Sequence, residues 1–435
     1  MRKSNFLIVM LVLSSIVSIY VPTVSAARYL PFTVGDNDTP QNVDPANAYD
    51  SVSYDTLNQV YEGLYTYNLA SPDMESIPML ASAMGTWDVT NTNLTIELRE
   101  DVVFHDGTPF NATAVVWNFE RINYFALNEM SDPYTLYLND DGDPILNRTE
   151  IIDDFTVKFV LNKPFAVWEQ MLAFTGSSII KPNEAYAEDF LTLSDPAIGT
   201  GPFKLVEIEP DTSVTFERFE DYYSGPANIT SMVYTIISDG EVASTAMLNH
   251  ELHYGGVLAE HLDQAEADPD ITIERVKTTV VFYLQLGYHQ IPWHQRKAFQ
   301  FAWNYTYYLE ETLQGEAYEL HTPIPAGMNY HNESIEGLPY YNVTLARQYM
   351  LDSTDPDVVT ELAKYPTLAV DDADTVWETI ATSATPLYSV NFTRYTSTGL
   401  EKILTQLVDN YADIGVKVVD WHIGDWGTWT EWSQT

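Results

Sequence analysis

A strand, a tight turn and a helix follow one another within residues 94–122, and this succession most constrains the fold. Leu94, Ile96 and Leu98 alternate with polar residues, which is typical of a half-buried strand. Asp106 and Gly107 favour a turn, and Asn111 can cap a helix that starts after it. One face of that helix is apolar and carries Ala112, Val115, Val116, Phe119 and Ile122. A strand that leads so directly into a helix predicts a mixed α/β fold.

The same mixture continues along the chain. The patterns predict strands at 156–161, 213–217 and 416–419. They predict one long amphipathic helix over 298–313 that ends at Gly315, and another over 400–411 that ends near Gly415. Short strands interspersed with helices exclude a helix bundle and a β-sandwich.

The first 26 residues have the features of an export signal. Arg2 and Lys3 precede an apolar run over 6–17, and Val24, Ser25 and Ala26 are small enough for a signal peptidase. The alternative is a membrane anchor, but the apolar run is shorter than the roughly 20 residues that a span needs. We therefore predict a cleaved signal peptide at 1–26, with a mature protein outside the membrane.

Composition excludes several classes of function. The chain has no cysteine, which excludes disulfides, thiolate metal sites, cysteine nucleophiles and a lipid-modified cysteine tether. Its net charge of −42 argues against nucleic acids and anionic membranes as partners. The charge favours a solvated surface suited to high salt, and the alternative is a field that attracts cationic ligands or metals.

Asn-x-Ser/Thr sequons are unusually frequent. The chain has 24 Asn, from which chance gives about 3 or 4 sequons, yet nine occur. They begin at Asn37, Asn93, Asn111, Asn147, Asn228, Asn304, Asn332, Asn342 and Asn391. The excess predicts a glycosylated surface protein with an archaeal-like envelope, and the alternative is chance in a chain rich in Asn and Thr.

We find no coherent set of catalytic or metal-binding residues in the sequence. The Gly199-to-Pro202 segment lacks the Lys-Ser/Thr of a phosphate loop. His250 and His253 are spaced i, i+3 rather than the i, i+4 of a helical zinc motif. The acidic run 139–143 fails the EF-hand pattern. We therefore predict no enzyme activity, no metal site and no cofactor, although a pair of carboxylates for glycoside hydrolysis remains an open alternative.

Several blocks resemble one known family, in that family's order. They are Asn42 to Pro45, the Tyr-Glu-Gly-Leu of 61–64, the Phe-His-Asp-Gly-Thr-Pro of 104–109, the Gly-Thr-Gly-Pro-Phe-Lys-Leu of 199–205, Gln295 to Ala298, and Ile414 to Val418. Together they resemble the family 5 extracellular solute-binding proteins, the receptors of peptide, nickel and oligosaccharide importers.

The resemblance implies an α/β, two-lobed clamshell of the type II periplasmic binding proteins with three domains. Domain I would be discontinuous, at 27–66 and 190–275, with domain II at 67–189 and domain III at 276–435. Domain III would be incomplete, because family members continue further, and we expect the chain to be truncated at its C-terminus. The ligand would lie between domains I and III.

The resemblance also implies candidate ligand-binding residues. They are Asn42, Tyr254, Gly255, Gly256, Tyr283, Gln285 and Trp426, which would form hydrogen bonds and stack on the ligand. His253 departs from the family pattern, which often has an acidic residue there, so a standard ligand preference does not follow.

The function implied by the resemblance is that of an extracellular receptor that captures short peptides and delivers them to an ABC permease. An oligosaccharide receptor of the same family, a secreted glycosidase, and a structural or signalling surface protein are the alternatives. We expect a monomer, secreted or on the outer face of the membrane, with no nucleic-acid partner.

Overall fold

The computed structural model describes residues 31–69, 71, 75–131, 133–275, 280–320, 322, 324–325, 331–332, 334–335 and 340–424. Helices and strands are mixed throughout these residues, which confirms the predicted α/β class. None of the helices in these ranges combines the length and apolar character that a membrane span requires. The predicted leader 1–26 and Trp426 lie outside the described residues.

The elements fall into two parts along the chain. The first part contains β1 (Phe32–Asp36), α1 (Ser51–Val60), β2 (Tyr65–Tyr67), β3 (Ser76–Pro78), β4 (Thr86–Trp87), β5 (Asn93–Glu97), α2 (Ala112–Leu127), β6 (Leu146–Asp153), β7 (Thr156–Leu161), α3 (Trp168–Met171), β8 (Phe203–Glu209), β9 (Ser213–Arg218), β10 (Ser231–Ile236), α4 (Gly240–Leu248) and α5 (Leu262–Ala267). The second part contains α6 (Trp293–Ala302), α7 (Tyr305–Tyr307), α8 (Val343–Leu351), α9 (Pro356–Leu362), α10 (Asp374–Ala381), β11 (Tyr388–Arg394), α11 (Thr398–Ala412) and β12 (Val416–His422).

The first sheet has the strand order β1-β10-β9-β8. β1 lies at its edge and runs parallel to β10, with Phe32 opposite Met232 and Asp36 opposite Ile236. The other neighbours are antiparallel. Val214 and Phe216 of β9 point into a core that α1 closes with Leu57, which confirms the strand predicted at 213–217.

The second sheet has the order β4-β5-β7-β6 and is antiparallel throughout. The strand–turn–helix prediction for 94–122 is confirmed: Leu94 and Ile96 of β5 are fully buried, and Gly107 takes a φ of +84° in the turn. The Asn111 side chain caps α2 by accepting from the Thr113 and Ala114 N–H groups at 3.0 and 3.3 Å. α2 then buries its apolar face on this sheet.

The third core lies where α6, α8, α10 and α11 pack beside the parallel pair β11 and β12. The helix predicted at 400–411 and the strand predicted at 416–419 are confirmed by α11 and β12. Three cores agree in number with three domains, but the domain boundaries themselves stay a prediction.

The single helix predicted over 298–313 is wrong. α6 ends at Ala302, and a new turn starts after Asn304, which accepts the Tyr307 N–H at 3.0 Å and so acts as an N-cap. The Asn304 backbone is also held away from α6, because its N–H donates to Asn410 Oδ1 and its carbonyl accepts from Gln406 Nε2. A π-helical turn at Tyr308–Thr312 completes the segment, and Gly315 follows with a φ of +83°.

Candidate ligand-binding site

A buried ion pair joins the first of the recognisable blocks to α2. Arg121 Nη1 donates to Asp44 Oδ1 at 3.0 Å, and Nη2 pairs with Oδ2, with both side chains almost fully buried. Arg121 also donates to the carbonyls of Tyr186 and Asp189. Leu191 N–H donates to Asp44 Oδ2 at 2.9 Å. The pair therefore links the core of the first sheet to α2 and to the 186–191 loop. The charged groups of both side chains are engaged in hydrogen bonds.

A second buried node contains Glu62. Its Oε1 accepts from the hydroxyls of Tyr222 and Tyr223 at 2.7 and 3.0 Å, and its Oε2 accepts from Thr200 Oγ1 at 2.8 Å. Burial raises the pKa of the Glu62 carboxyl, although these three hydrogen bonds oppose the rise.

Glycines let the blocks at 61–64 and 199–205 touch. A Cβ on Gly199 would lie 2.0 Å from the Val60 carbonyl oxygen, so only glycine fits there. His105 joins the same node, because its N–H donates to the Gly199 carbonyl at 2.9 Å and its Nε2 lies 2.9 Å from the Gly201 carbonyl. We call the Asp44–Arg121 and Glu62 nodes together the joint, since they fasten the first sheet to the elements around the second.

The edge of the first sheet is built differently. Residues 253 and 254 run alongside β1, where Gly35 N–H donates to the Tyr254 carbonyl at 2.9 Å and the N–H groups of His253 and Tyr254 donate to the Thr33 carbonyl. His253 Nδ1 accepts from the Thr33 N–H at 3.1 Å. Residues 253 and 254 are thereby fixed to β1, while the Tyr254 side chain stays two-thirds exposed. We call β1 with Asp36, together with Asn42, Asp55 and residues 253–256, the ligand edge.

The ligand edge carries acidic groups that lack a cationic partner. Burial, reinforced by the charges of Asp55 and Asp38, raises the pKa of Asp36 to about 6. Partial burial also raises the pKa of Asp55, with Asp50 adding to the effect. In the described residues, no Lys or Arg forms an ion pair with Asp36 or Asp55. The edge can therefore stabilise a positive charge brought by another molecule.

Four predicted site residues lie on this edge. Asn42 is half-buried, its N–H donates to Ser53 Oγ at 3.0 Å and its Oδ1 accepts from Asn47 Nδ2 at 2.9 Å. Tyr254 is held by β1, as described. Gly255 lies against Met247 and the Gly35 amide, whereas a Cβ on Gly256 would meet no atom within 4 Å. The backbone at Gly256 is thus open to an approaching ligand.

The other predicted site residues are not joined to this edge in the structure. Tyr283 and Gln285 are exposed in a segment without helix or strand, beside the 87% exposed Phe282. Across the described ranges, no hydrogen bond or ring contact connects Tyr283 or Gln285 to Tyr254. Trp426 lies outside the described residues. All seven assignments therefore stay predictions.

Sequence reasoning missed Asp36 and Asp55. Asp36 is the last residue of β1, and Asp55 lies in the second turn of α1. In a chain with 62 acidic residues, nothing in the sequence distinguished these two. Only the parallel pairing of β1 and the approach of α1 bring them together.

Two cavities of about 470 Å³ lie elsewhere. One is lined by residues between Ile180 and Ile198, behind the joint. The other lies between Glu260 and α11, where Lys402 Nζ donates to Glu260 at 3.0 Å. Neither is lined by a predicted ligand-binding residue, and both are shallow, so we place the candidate site at the ligand edge.

Within the described part of the chain, one group of side chains has the spacing of metal ligands. Ligand atoms of Glu241, Glu260 and His261 lie within 4.8 Å of one another. His261 Nε2 is 2.7 Å from Glu241 Oε2, and Lys402 neutralises Glu260. We assign no metal to this exposed ion-paired group, and the absence of a metal site or cofactor stays a prediction.

Comparison with known proteins gives a family match over most of the chain. The model of the bacterial extracellular solute-binding proteins, family 5, middle region, matches residues 75–434. The glutathione-binding protein GsiB of Pectobacterium atrosepticum is 25% identical over 340 residues, which are 76% of this chain and 62% of that protein. The heme-binding protein A of Haemophilus influenzae is 27% identical over 342 residues, which are 73% of this chain and 61% of that protein. The chain therefore spans about three fifths of the length of these curated relatives.

Solved structures agree in fold. The periplasmic binding protein DppA from Helicobacter pylori, in complex with the peptide STSA, superposes with a TM-score of 0.71 at 21% identity, over 92% of this chain and 74% of that one. The dipeptide-binding protein from Pseudoalteromonas sp. SM9913, in complex with Met-Leu, gives 0.73 at 17% identity, over 92% and 77%. At these identities the likeness establishes the fold, which is the predicted two-lobed clamshell of the type II periplasmic binding proteins.

Proposed function

The chain belongs to family 5 of the bacterial extracellular solute-binding proteins, and we propose that it captures short peptides outside the membrane and delivers them to an ABC permease. The family match over residues 75–434 carries this proposal. Three named relatives support peptides as ligands, since glutathione is a tripeptide and two of the structures hold STSA and Met-Leu.

The ligand edge supplies the chemistry that such a receptor needs. Open backbone at Gly256 can pair with the peptide main chain, and exposed Tyr254 can pack on a peptide side chain. Asp36 and Asp55 would attract the α-ammonium group that every free peptide carries. Tyr283, Gln285 and Trp426 would contact the ligand from the opposite lobe as the clamshell closes, and Asn42 would support the near side.

Location and assembly belong to the same proposal. The family consists of extracellular receptors, and a leader at 1–26 would export this one to the outer face of the membrane, where a monomer meets its permease. Its role is binding and not catalysis. The acidic surface and the nine sequons support a glycosylated protein of an archaeal-like envelope.

Titration of the full chain with ligands tests the proposal. Di- and tripeptides, their N-acetylated counterparts and oligosaccharides are compared by calorimetry and by melting temperature. A free-amino peptide at a hundred times its Kd should stabilise the protein by about 2.7 kcal/mol. The acetylated peptides should bind more weakly, because they bring no positive charge to Asp36 and Asp55.

Each other result has a definite meaning. Stabilisation by oligosaccharides alone would replace peptides with the sugar alternative, and cleavage of the oligosaccharides would establish the glycosidase. No response to any ligand would contradict the receptor. The Tyr254→Ala variant should bind peptide more weakly, and Tyr307→Ala is its matched control. Tyr307 is also an exposed tyrosine, but it lines the cavity beside α11.

A further inference from the structure

The nine sequons differ in what their two reacting groups do in the fold. Attachment of a glycan uses the Asn Nδ2, and the hydroxyl two residues later must be accessible to the transferase. In several sequons one of these groups is already engaged within the protein, and in others both are open. This difference divides seven of the nine sequons into two sets, and Asn304 and Asn391 are assigned to neither.

Three sequons are obstructed. Asn93 Nδ2 donates to Asp88 Oδ2 at 2.8 Å. Asn147 Nδ2 donates to Asn162 Oδ1 at 2.6 Å, and the hydroxyl of this sequon, on Thr149, is buried. The third is Asn37, whose own side chain is exposed. The hydroxyl of its sequon, on Thr39, is buried and accepts the Asp211 N–H at 2.8 Å.

Two sequons are exposed to solvent at both reacting residues. Asn228 and Thr230 are both exposed in the loop that precedes β10. Asn332 and Ser334 are also exposed, and Ser334 donates to Asn332 Oδ1 from its hydroxyl at 2.7 Å and from its N–H at 3.0 Å. These two bonds lie within the sequon and engage the oxygen of the Asn332 amide, and no hydrogen bond among the described residues occupies its Nδ2.

The sequon residues that cap the two longer helices, α2 and α8, likewise use only one atom of the amide within the fold. Asn111 and Asn342 cap α2 and α8 through Oδ1, and the hydroxyls of their sequons, on Thr113 and Thr344, are exposed. A glycan on Nδ2 therefore leaves the cap hydrogen bond in place, because the two functions use different atoms of one amide.

We propose that the exported chain is N-glycosylated at Asn228, Asn332, Asn111 and Asn342, and that Asn37, Asn93 and Asn147 stay bare. In this reaction Nδ2 attacks the anomeric carbon of a lipid-linked oligosaccharide. A C–N bond forms, the bond from that carbon to the phosphate oxygen breaks, the lipid phosphate leaves, and Nδ2 loses a proton. The inference rests on the export part of the proposed function.

In the first sheet the pattern keeps glycans away from Asp36. β1 and β10 are parallel, so Asn228, just before β10, lies at the end of the first sheet opposite to Asp36. Asn37 is the sequon beside Asp36, and its Thr39 hydroxyl is the one already engaged. In the first sheet, a glycan at Asn228 would therefore leave the end that carries Asp36 uncovered.

Mapping of occupied sites tests the proposal. The full chain with its leader is expressed in a secretory host that has an oligosaccharyltransferase for Asn-x-Ser/Thr. An amidase then converts each occupied Asn to Asp in ¹⁸O-water, and peptide mass spectrometry locates the label. We expect label at Asn228 and Asn332, then at Asn111 and Asn342, and none at Asn93 or Asn147. A secreted protein without glycans, or with label mainly at Asn93 and Asn147, would overturn the proposal.

Two variants separate glycosylation from folding. N228Q should lose the mass of one glycan and keep the melting temperature of the unmodified protein. N147Q should keep the glycan mass and lower the melting temperature, because the 2.6 Å hydrogen bond from Asn147 Nδ2 to Asn162 Oδ1 is lost. Equal glycan loss in both would contradict the division. Peptide titration of the same samples tests the proposed function separately. A protein that carries the expected glycans but binds no peptide would contradict the receptor function and leave the glycosylation proposal standing.

Discussion

The joint and the ligand edge differ in whether their carboxylates have partners within the protein. In the joint, Asp44 is fully buried but meets Arg121 and a backbone amide, and Glu62 accepts three hydroxyl hydrogen bonds. At the ligand edge, Asp36 and Asp55 repel each other and have no ion pair in the described part of the chain. The joint is complete by itself, whereas a positive charge from outside would stabilise the edge further.

This contrast accounts for four of the six blocks that resemble the family. The recognisable blocks at 42–45, 61–64, 104–109 and 199–205 all contribute to the joint, where close packing and satisfied polar groups restrict each residue. The edge is restricted mainly through its backbone, at Gly35 and Tyr254. Side chains there can differ without loss of the fold, so they can adapt to a ligand.

Removal of the buried carboxylate at the joint gives the largest expected effect. Asp44→Ala leaves Arg121 buried without its counter-charge, and we expect the free energy of unfolding to fall by about 3–5 kcal/mol. Urea denaturation measures the change. The matched control is Asp55→Ala at the ligand edge, which should change stability by less than about 0.5 kcal/mol. Equal losses in the two variants would remove the distinction between joint and edge.

A methyl group added at two glycines tests the packing side of the contrast. Gly199→Ala places a Cβ 2.0 Å from the Val60 carbonyl oxygen, and we expect a loss of about 1–3 kcal/mol or more. Gly256→Ala meets no atom within 4 Å, so thermal unfolding should be unchanged within about 0.5 kcal/mol while peptide affinity falls. A stable Gly199→Ala protein would show that the two blocks are not held in contact.

The sequence predicted the fold well where one pattern decides the outcome. The period-2 pattern at Leu94 and Ile96 and the apolar face of α2 gave the strand and helix, because burial of one face is enough to specify each. The prediction failed at Asn304, where apolar spacing continues across a break that bonds from Asn410 and Gln406 impose. Such contacts come from more than a hundred positions away, and periodicity does not contain them.

The site was predicted less completely for the same reason. Tyr254, Gly255 and Gly256 were inferred from family resemblance, and their place beside β1 depends on a strand about 220 residues earlier. Asp36 and Asp55 become a pair only after β1 and α1 have packed. In a chain this acidic, the sequence contains Asp36 and Asp55 but does not distinguish them from the other acidic residues.

Truncation of one side chain at the ligand edge should affect binding alone. Tyr254→Ala removes an exposed ring with few internal contacts, and we expect peptide affinity to fall about tenfold, or ~1.4 kcal/mol. The free energy of unfolding should stay within about 0.5 kcal/mol. Calorimetric titration and urea denaturation of the same preparation check the two halves. Unchanged affinity would place the ligand away from this edge.

The smallest expected effect is the pH dependence that Asp36 gives to stability. Its folded pKa of about 6 lies above the ordinary value of 3.8, mainly because of burial, with the charges of Asp55 and Asp38 adding. The folded state therefore holds more protons than the unfolded state between these values, and stability falls as the pH rises from about 4 to about 6. Solvent screening keeps the contribution of this half-exposed group below about 1 kcal/mol.

Asp36→Asn should flatten that part of the stability curve, measured by urea denaturation at pH 4 to 7. Asp413, whose pKa burial and Asp374 also raise to about 6, keeps a similar slope in the variant, so the flattening is partial. A free-amino peptide should flatten the wild-type curve in the same window, because its ammonium group favours the ionised Asp36. Parallel stability curves for Asp36→Asn and the wild type, both with and without peptide, would contradict this prediction. Asp36 would then carry no uncompensated charge, and the ligand edge would not differ from the joint in this respect.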